Sequence, residues 1–275
     1  MQDIALIIST TLMYSTPLIF AALGGVFSEN SGIVNIGIEG MMTIGAFAGA
    51  AAGYMLGNPW LAFIIGGLAG GLFALVHALA TVTFNADHTI SGVAINLLAP
   101  GVALFASKIM FDGATMTPTI PMEQKIPRPL NGLFPSGSIL DTIFNAYATV
   151  FIAFILVAVT WYVLYKTKFG LRIRAVGEHP GAADTLGISV AKTRYAAVII
   201  SGILAGLGGA SMSLAVVSSF RPTLISGHGY IAMAAVIFGK WRPQWAMAAC
   251  LLFGFSTALS VYFGNPELPF SINEN

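Results

Sequence analysis

Between Ser28 and Glu39 the chain reads SENSGIVNIGIE: two glutamates, two asparagines, two serines and two glycines set between strongly apolar runs. A carboxylate at membrane depth costs roughly 3 kcal/mol or more, so Glu39 must face a cavity, a partner or backbone N–H groups. Two kinds of chemistry are open to it. It could orient a polar solute, or it could join Glu29, Asn30 and Asn35 in satisfying an interrupted backbone. Farther along, Ser91 and Asn96 stand five positions apart, about 140° around a helix. The Asn96 amide offers donors and an acceptor, which suits a polar solute or an interhelical hydrogen bond worth about 1 kcal/mol. Covalent chemistry has no comparable candidates. The sequence contains no H-E-x-x-H, C-x-x-C or G-x-S-x-G, and His77, His88, His179 and His228 fall in different segments. Its one Gly-Lys pair, Gly239–Lys240, is followed by tryptophan and forms no P-loop. The reading is therefore no catalytic residues, no metal ligands and no cofactor.

These polar residues need a scaffold, and composition names its solvent. Of 275 residues 56% are hydrophobic and 8% charged, against roughly 25% charged in an ordinary globular domain. A soluble enzyme, a disordered tail and a nucleic-acid binder are excluded together, since each needs a solvated surface. Unbroken apolar runs rather than alternating strands require helices. Runs of spanning length fall near 4–27, 33–57, 59–84, 89–111, 143–165, 195–219 and 244–263, with a shorter, re-entrant candidate at 229–239. The expected fold is all-α: a polytopic transmembrane helical bundle with a broken or re-entrant helix, forming one domain over residues 1–275. The N-terminus lacks the basic and small-residue features of a cleaved secretory signal, so its first run counts as a membrane helix. The single cysteine, Cys250, lies in an apolar run and reads as a small core residue.

Six of the twelve basic residues lie in the loop 166–194 (Lys166, Lys168, Arg172, Arg174, Lys192 and Arg194), which the positive-inside rule places in the cytoplasm. Counting back through five crossings puts 113–142 and the N-terminus outside. The proline-rich 113–142 reads as an extended surface segment. Gly45, Gly49 and Gly53, then Gly66, Gly67, Gly70 and Gly71, then Gly202 and Gly206 recur at helical spacing, which predicts close helix packing. Within the basic loop, Pro180 can begin a short helix, Glu178 and His179 can cap it, and Gly187 can end it.

That segment, G-E-H-P-x-A-A-x-x-x-G-I, resembles the cytoplasmic coupling loop of ATP-binding-cassette importer permeases, whose E-A-A-x-x-x-G pattern docks into a cleft on a separate ATPase. Gly181, Ala182, Ala183 and Gly187 fall on the pattern, with glycine replacing the leading glutamate and Glu178 one turn earlier. LGGVFSENSGIVNIGIEGMMTIGAFAGA (23–50) and ADHTISGVAINLLAPG (86–101) are similar to permeases of the branched-chain amino acid and ribose type, most closely the nucleoside-importing branch.

The resemblance implies a cell-membrane permease subunit that forms the path for a nucleoside. Its implied partners are a cytoplasmic ATPase, a second permease subunit, an extracellular or lipoprotein binding protein and membrane lipid, with no nucleic acid. Glu178, His179, Pro180, Ala182, Ala183, Asp184 and Gly187 would engage the ATPase, and Asn35, Glu39, Ser91 and Asn96 would line the path. Asn96 would suit a base edge or a ribose hydroxyl. An ion-coupled secondary transporter and a sugar permease are the competing readings, because broken helices and a buried carboxylate fit the former equally well. Permeases of this branch continue for another apolar segment or two beyond FGNPELPFSINEN, which points to a short variant or a truncated product.

Overall fold

A backbone in lipid must satisfy its own N–H and C=O groups, so each crossing is helical wherever it meets hydrocarbon. A computed structural model describes residues 2–135 and 138–264; the closing stretch 265–275 lies outside the described residues. In order, the helices are α1 (Gln2–Asn30), α2 (Ile38–Leu56), α3 (Pro59–Ala78, continued by a π-helical turn Leu79–Thr83), α4 (His88–Met110) and α5 (Ile139–Phe144). There follow α6 (Ala148–Lys166), α7 (Lys168–Glu178), α8 (Pro180–Thr185), α9 (Val190–Ser211, with a π-helical turn Met212–Val216), α10 (His228–Phe238) and α11 (Pro243–Phe263).

Local chemistry sets these boundaries. Asn58 accepts hydrogen bonds from the Trp60 and Leu61 N–H groups, with Pro59 in the first helical position of α3. Asp87 does the same for α4 through Thr89 and Ile90, and these bonds hold its exposed carboxyl below the usual carboxylate range.

Among the described residues, six helices are long and apolar enough to cross a membrane: α1, α3, α4, α6, α9 and α11, the π-helical turns included. The seventh expected span, 33–57, is shortened at its start. Its helix begins only at Ile38 and is rich in glycine and alanine, and most of its residues are buried among neighbouring helices, so α2 does not need a lipophilic surface. At the centre, α2, α3 and α9 pack backbone to backbone. A Cβ added at Gly206 would lie 2.4 Å from the Gly66 carbonyl oxygen, and one at Gly45 would lie 2.4 Å from that of Gly206. The glycine spacing is thus spent on helix packing.

Polar contacts group the loops into two ends. At the basic end, Arg194 Nε donates to the Ser31 carbonyl (3.3 Å), Asn30 Nδ2 to the Trp241 carbonyl (3.2 Å) and the Trp241 indole to Glu29. At the opposite end, Thr117 and Phe220 pair through their backbones (3.1 Å), and Ile120 N–H donates to the Ser218 carbonyl (2.8 Å). The 113–142 segment is not only a surface strap, since Ile120 and Ile126 are buried.

This frame corrects the reading of 229–239. The chain leaves α9 at the opposite end, descends without helix from Val217 to Gly227, and completes the crossing as the 11-residue α10, about 16 Å long. It ends at Lys240 and Trp241 on the basic end. It is therefore the second half of a broken crossing and does not turn back. The basic loop also holds two helices, α7 and α8, where one was expected.

Candidate functional site

Two helices begin inside the bundle, α2 after the non-helical stretch 31–37 and α10 after 217–227. Helix N-termini carry partial positive charge and unpaired N–H groups. The start of α10 is directed at a carboxylate carried by the start of α2. Glu39 lies in the first turn of α2, and its Oε1 accepts from Gly227 N–H (2.6 Å) while its Oε2 accepts from Gly229 N–H (2.7 Å). The approach needs glycine, because a Cβ at Gly229 would stand 2.5 Å from Glu39 Cα. Gly227, at φ 94°, takes the left-handed turn into α10.

Asn96 on α4 completes the junction. Its Oδ1 accepts from Gly40 N–H (2.8 Å), and its Nδ2 donates to the Ile36 carbonyl (2.9 Å) and the Tyr230 hydroxyl (2.9 Å). One side chain thus ties the broken start of α2 to α10. Glu39 and Asn96 are half-buried, and Tyr230 is 49% exposed, so the junction borders a surface rather than a sealed core.

Asn35 lies deeper. It is fully buried, and its Nδ2 donates to Ser201 Oγ (2.9 Å) while its Oδ1 has no partner among the described residues. Ser91 is separate from Asn96: its hydroxyl pairs with Nδ1 of the buried His77 (2.9 Å), whose Nε2 faces the Val34 carbonyl (3.4 Å). A neutral imidazole with its proton on Nε2 satisfies both contacts. The structure thus brings Glu39 and Asn96 together and sets Asn35 and Ser91 apart from them.

The basic loop is built from caps. His179 Nδ1 accepts from Ala182 N–H (3.1 Å), Pro180 opens α8, and Gly187, at φ 77°, ends it with its N–H on the Asp184 carbonyl (2.8 Å). Ala183 is 3% exposed, which turns it toward the protein's own body, whereas Gly181, Ala182, Asp184 and Leu186 are exposed. Glu178 and His179 are exposed as well. The loop is joined to the break after α1. A Cβ on Gly177 would meet the Asn30 carbonyl oxygen at 2.1 Å, and Arg194 reaches Ser31.

Residues 7–272 match the permease component of the branched-chain amino acid transport system family. The chain belongs to this permease family. Its relatives include the guanosine ABC transporter permease protein NupQ of Bacillus subtilis, 47% identical over 94% of this chain and 83% of the relative. The nucleoside ABC transporter permease protein NupC of Lactococcus lactis is 43% identical over 96% and 84%. The putative glucose ABC transporter permease protein TsgC13 of Haloferax volcanii is 37% identical over 93% and 77%. No solved structure matches the chain significantly. The protein is thus a multi-pass membrane permease, a transport subunit whose system hydrolyses ATP on a separate chain.

Sequence reasoning missed several of the permease's contact residues. Gly227 and Gly229 flank His228, and that doublet ahead of a short apolar run was the available signal for a helix start packed on another backbone. Tyr230 and His77 gave no signal, because each works through a residue on a different helix. Leu186, 80% exposed, did not stand out either, because Phe169, Leu171, Ile173 and Ile188 lie in the same loop.

Proposed function

We propose that this permease forms the translocation path of an ABC importer for a neutral solute of the nucleoside class. It acts as one permease domain over residues 1–275, with its basic end, including 166–194, in the cytoplasm. One observation carries the solute reading: Glu39 already takes both N–H groups at the start of α10 and lies at the start of α2. An anionic solute would meet a carboxylate where a free helix terminus would have welcomed it. An amino acid brings a carboxylate that this terminus no longer receives; a nucleoside brings none. The relatives named for guanosine and nucleosides support the same class. A sugar is the second reading, favoured by the relative named for glucose and equally neutral.

In this scheme an extracellular binding protein delivers the solute, and a second permease subunit completes the path along the half-exposed Glu39–Asn96–Tyr230 junction. Asn96 and Tyr230 offer hydrogen bonds that a ribose or base edge can exchange. Glu39 positions α10, while Asn35 and Ser91 support the path from behind. The ATPase engages α8 through Ala182, Asp184 and Leu186, held in shape by Glu178, His179, Pro180, Ala183 and Gly187. Movement of α8 reaches the broken start of α2 through Gly177 against Asn30 and Arg194 on Ser31.

The test is uptake by proteoliposomes holding the permease with its ATPase and binding protein. ATP-dependent guanosine uptake that unlabelled nucleosides compete for, and leucine does not, is expected. Competition by glucose alone would select the sugar reading, and gradient-driven uptake by this chain without ATPase would overturn both. For the loop, Leu186→Glu is expected to abolish co-purification of the ATPase while leaving the permease folded. Ala183 is unsuitable for that purpose because it is buried.

A further inference from the structure

Between the end of α10 and the start of α11 lies a groove of about 660 Å³, lined by Phe238, Lys240, Arg242, Trp245, Ala248 and Leu252 among others. Its chemistry is divided. Lys240 and Arg242 stand where the chain turns at the basic end, and neither side chain has a carboxylate partner among the described residues. Arg242 is also the N-cap residue of α11 and makes no side-chain capping bond there. Down the crossing the lining becomes apolar, with Phe238, Trp245 and Leu252 at 72%, 59% and 63% exposure. Lys240 and Trp241 hold φ of 50° and 56°, so the turn that presents the two cations is kept in a conformation that non-glycine residues rarely adopt.

We propose that this groove binds one anionic phospholipid of the cytoplasmic leaflet, its phosphate between Lys240 and Arg242 and an acyl chain along Phe238, Ala248 and Leu252. Two unpaired cations beside an uncapped helix start call for an anion. The apolar floor continues from them into the hydrocarbon zone, which a free phosphate would leave bare. Trp245 stands where an indole sits best, at the boundary of headgroup and chain. The site is distinct from the Glu39 junction at the other end of α10, although the two share that helix. The leaflet follows from the cytoplasmic assignment of the basic end; the binding itself does not depend on transport.

The full chain, purified in a neutral detergent, is titrated with phosphatidylglycerol or phosphatidylcholine and followed by native mass spectrometry. One tightly held phosphatidylglycerol is expected, bound at least about tenfold more tightly than phosphatidylcholine. Lys240→Gln with Arg242→Gln should erase that preference with the melting midpoint otherwise unchanged. Ala248→Trp, on an exposed position of the groove floor, should displace the lipid while both cations remain, and it serves if the double variant does not fold. Equal retention of phosphatidylglycerol by wild type and variants would overturn the proposal. So would competition by inorganic phosphate at the same concentration as the lipid, which would mean a free-anion site. A preference traced to a second copy of the chain, seen as a dimer that Lys240→Gln with Arg242→Gln dissolves, would overturn it as well.

Discussion

The seam of α2, α3 and α9 and the junction of α2, α4 and α10 share a helix but are held together by opposite means. In the seam, Gly45, Gly66 and Gly206 bring backbones into contact with no side chain between them. Its energy is dispersion over a fitted surface, which exists in one arrangement or not at all. At the junction, Glu39 and Asn96 hold backbone N–H and C=O groups that the helix breaks leave open. Such bonds exchange one for one with bonds to a solute or water, so they can be remade in a second arrangement. The molecule thus combines a fixed frame with a part that can shift, and α2 belongs to both.

Substitutions separate the two. Gly206→Leu should cost about 3 kcal/mol or more, because its side chain would run into the Gly66 carbonyl region and no flexible atom is there to yield. The expected result is loss of monodisperse protein in detergent, read by size-exclusion chromatography. Gly229→Ala comes next. It pushes α10 off Glu39, and uptake should fall to background while the melting midpoint moves by only a few degrees. Glu39→Gln keeps the shape but turns one acceptor into a donor facing an N–H group. A loss of about 1.5–3 kcal/mol in that local contact is expected, measured as a drop of ten- to a hundredfold in uptake with the fold retained. If Glu39→Gln instead unfolds the protein as Gly206→Leu does, the junction is as fixed as the seam. Tyr230→Phe, which removes one of three bonds on Asn96, should have the smallest effect, about 1 kcal/mol or a few-fold in uptake.

Hydropathy alone carried most of the crossings, because lipid imposes length and apolarity on any helix it touches. It overran the start of α2, whose helix begins only at Ile38, and failed on 217–238, where half the crossing is not helical. The cap residues of α8 were legible because proline, histidine and glycine act on their immediate neighbours. Glu39 and Asn96 were legible as costly groups needing partners, but not the identity of those partners. Glu39 is bonded 188 and 190 positions away, and no local pattern encodes that distance. Ala183 shows the reverse: a short motif marked the position, and only packing revealed that its methyl group turns inward.

The same separation has a consequence for biosynthesis. At about 5–20 residues per second, the ribosome needs roughly 10–40 s to make the 188 residues between Glu39 and its first partner, Gly227. For that interval the carboxylate has none of its native donors from α10. A chain that releases α2 fully into lipid during this wait would bury a bare charge. The start of α2 is therefore expected to stay at an aqueous or insertase-lined surface until α10 emerges, and a pause introduced between codons 40 and 227 should lengthen the time for which Glu39 remains open to carboxylate-modifying reagents.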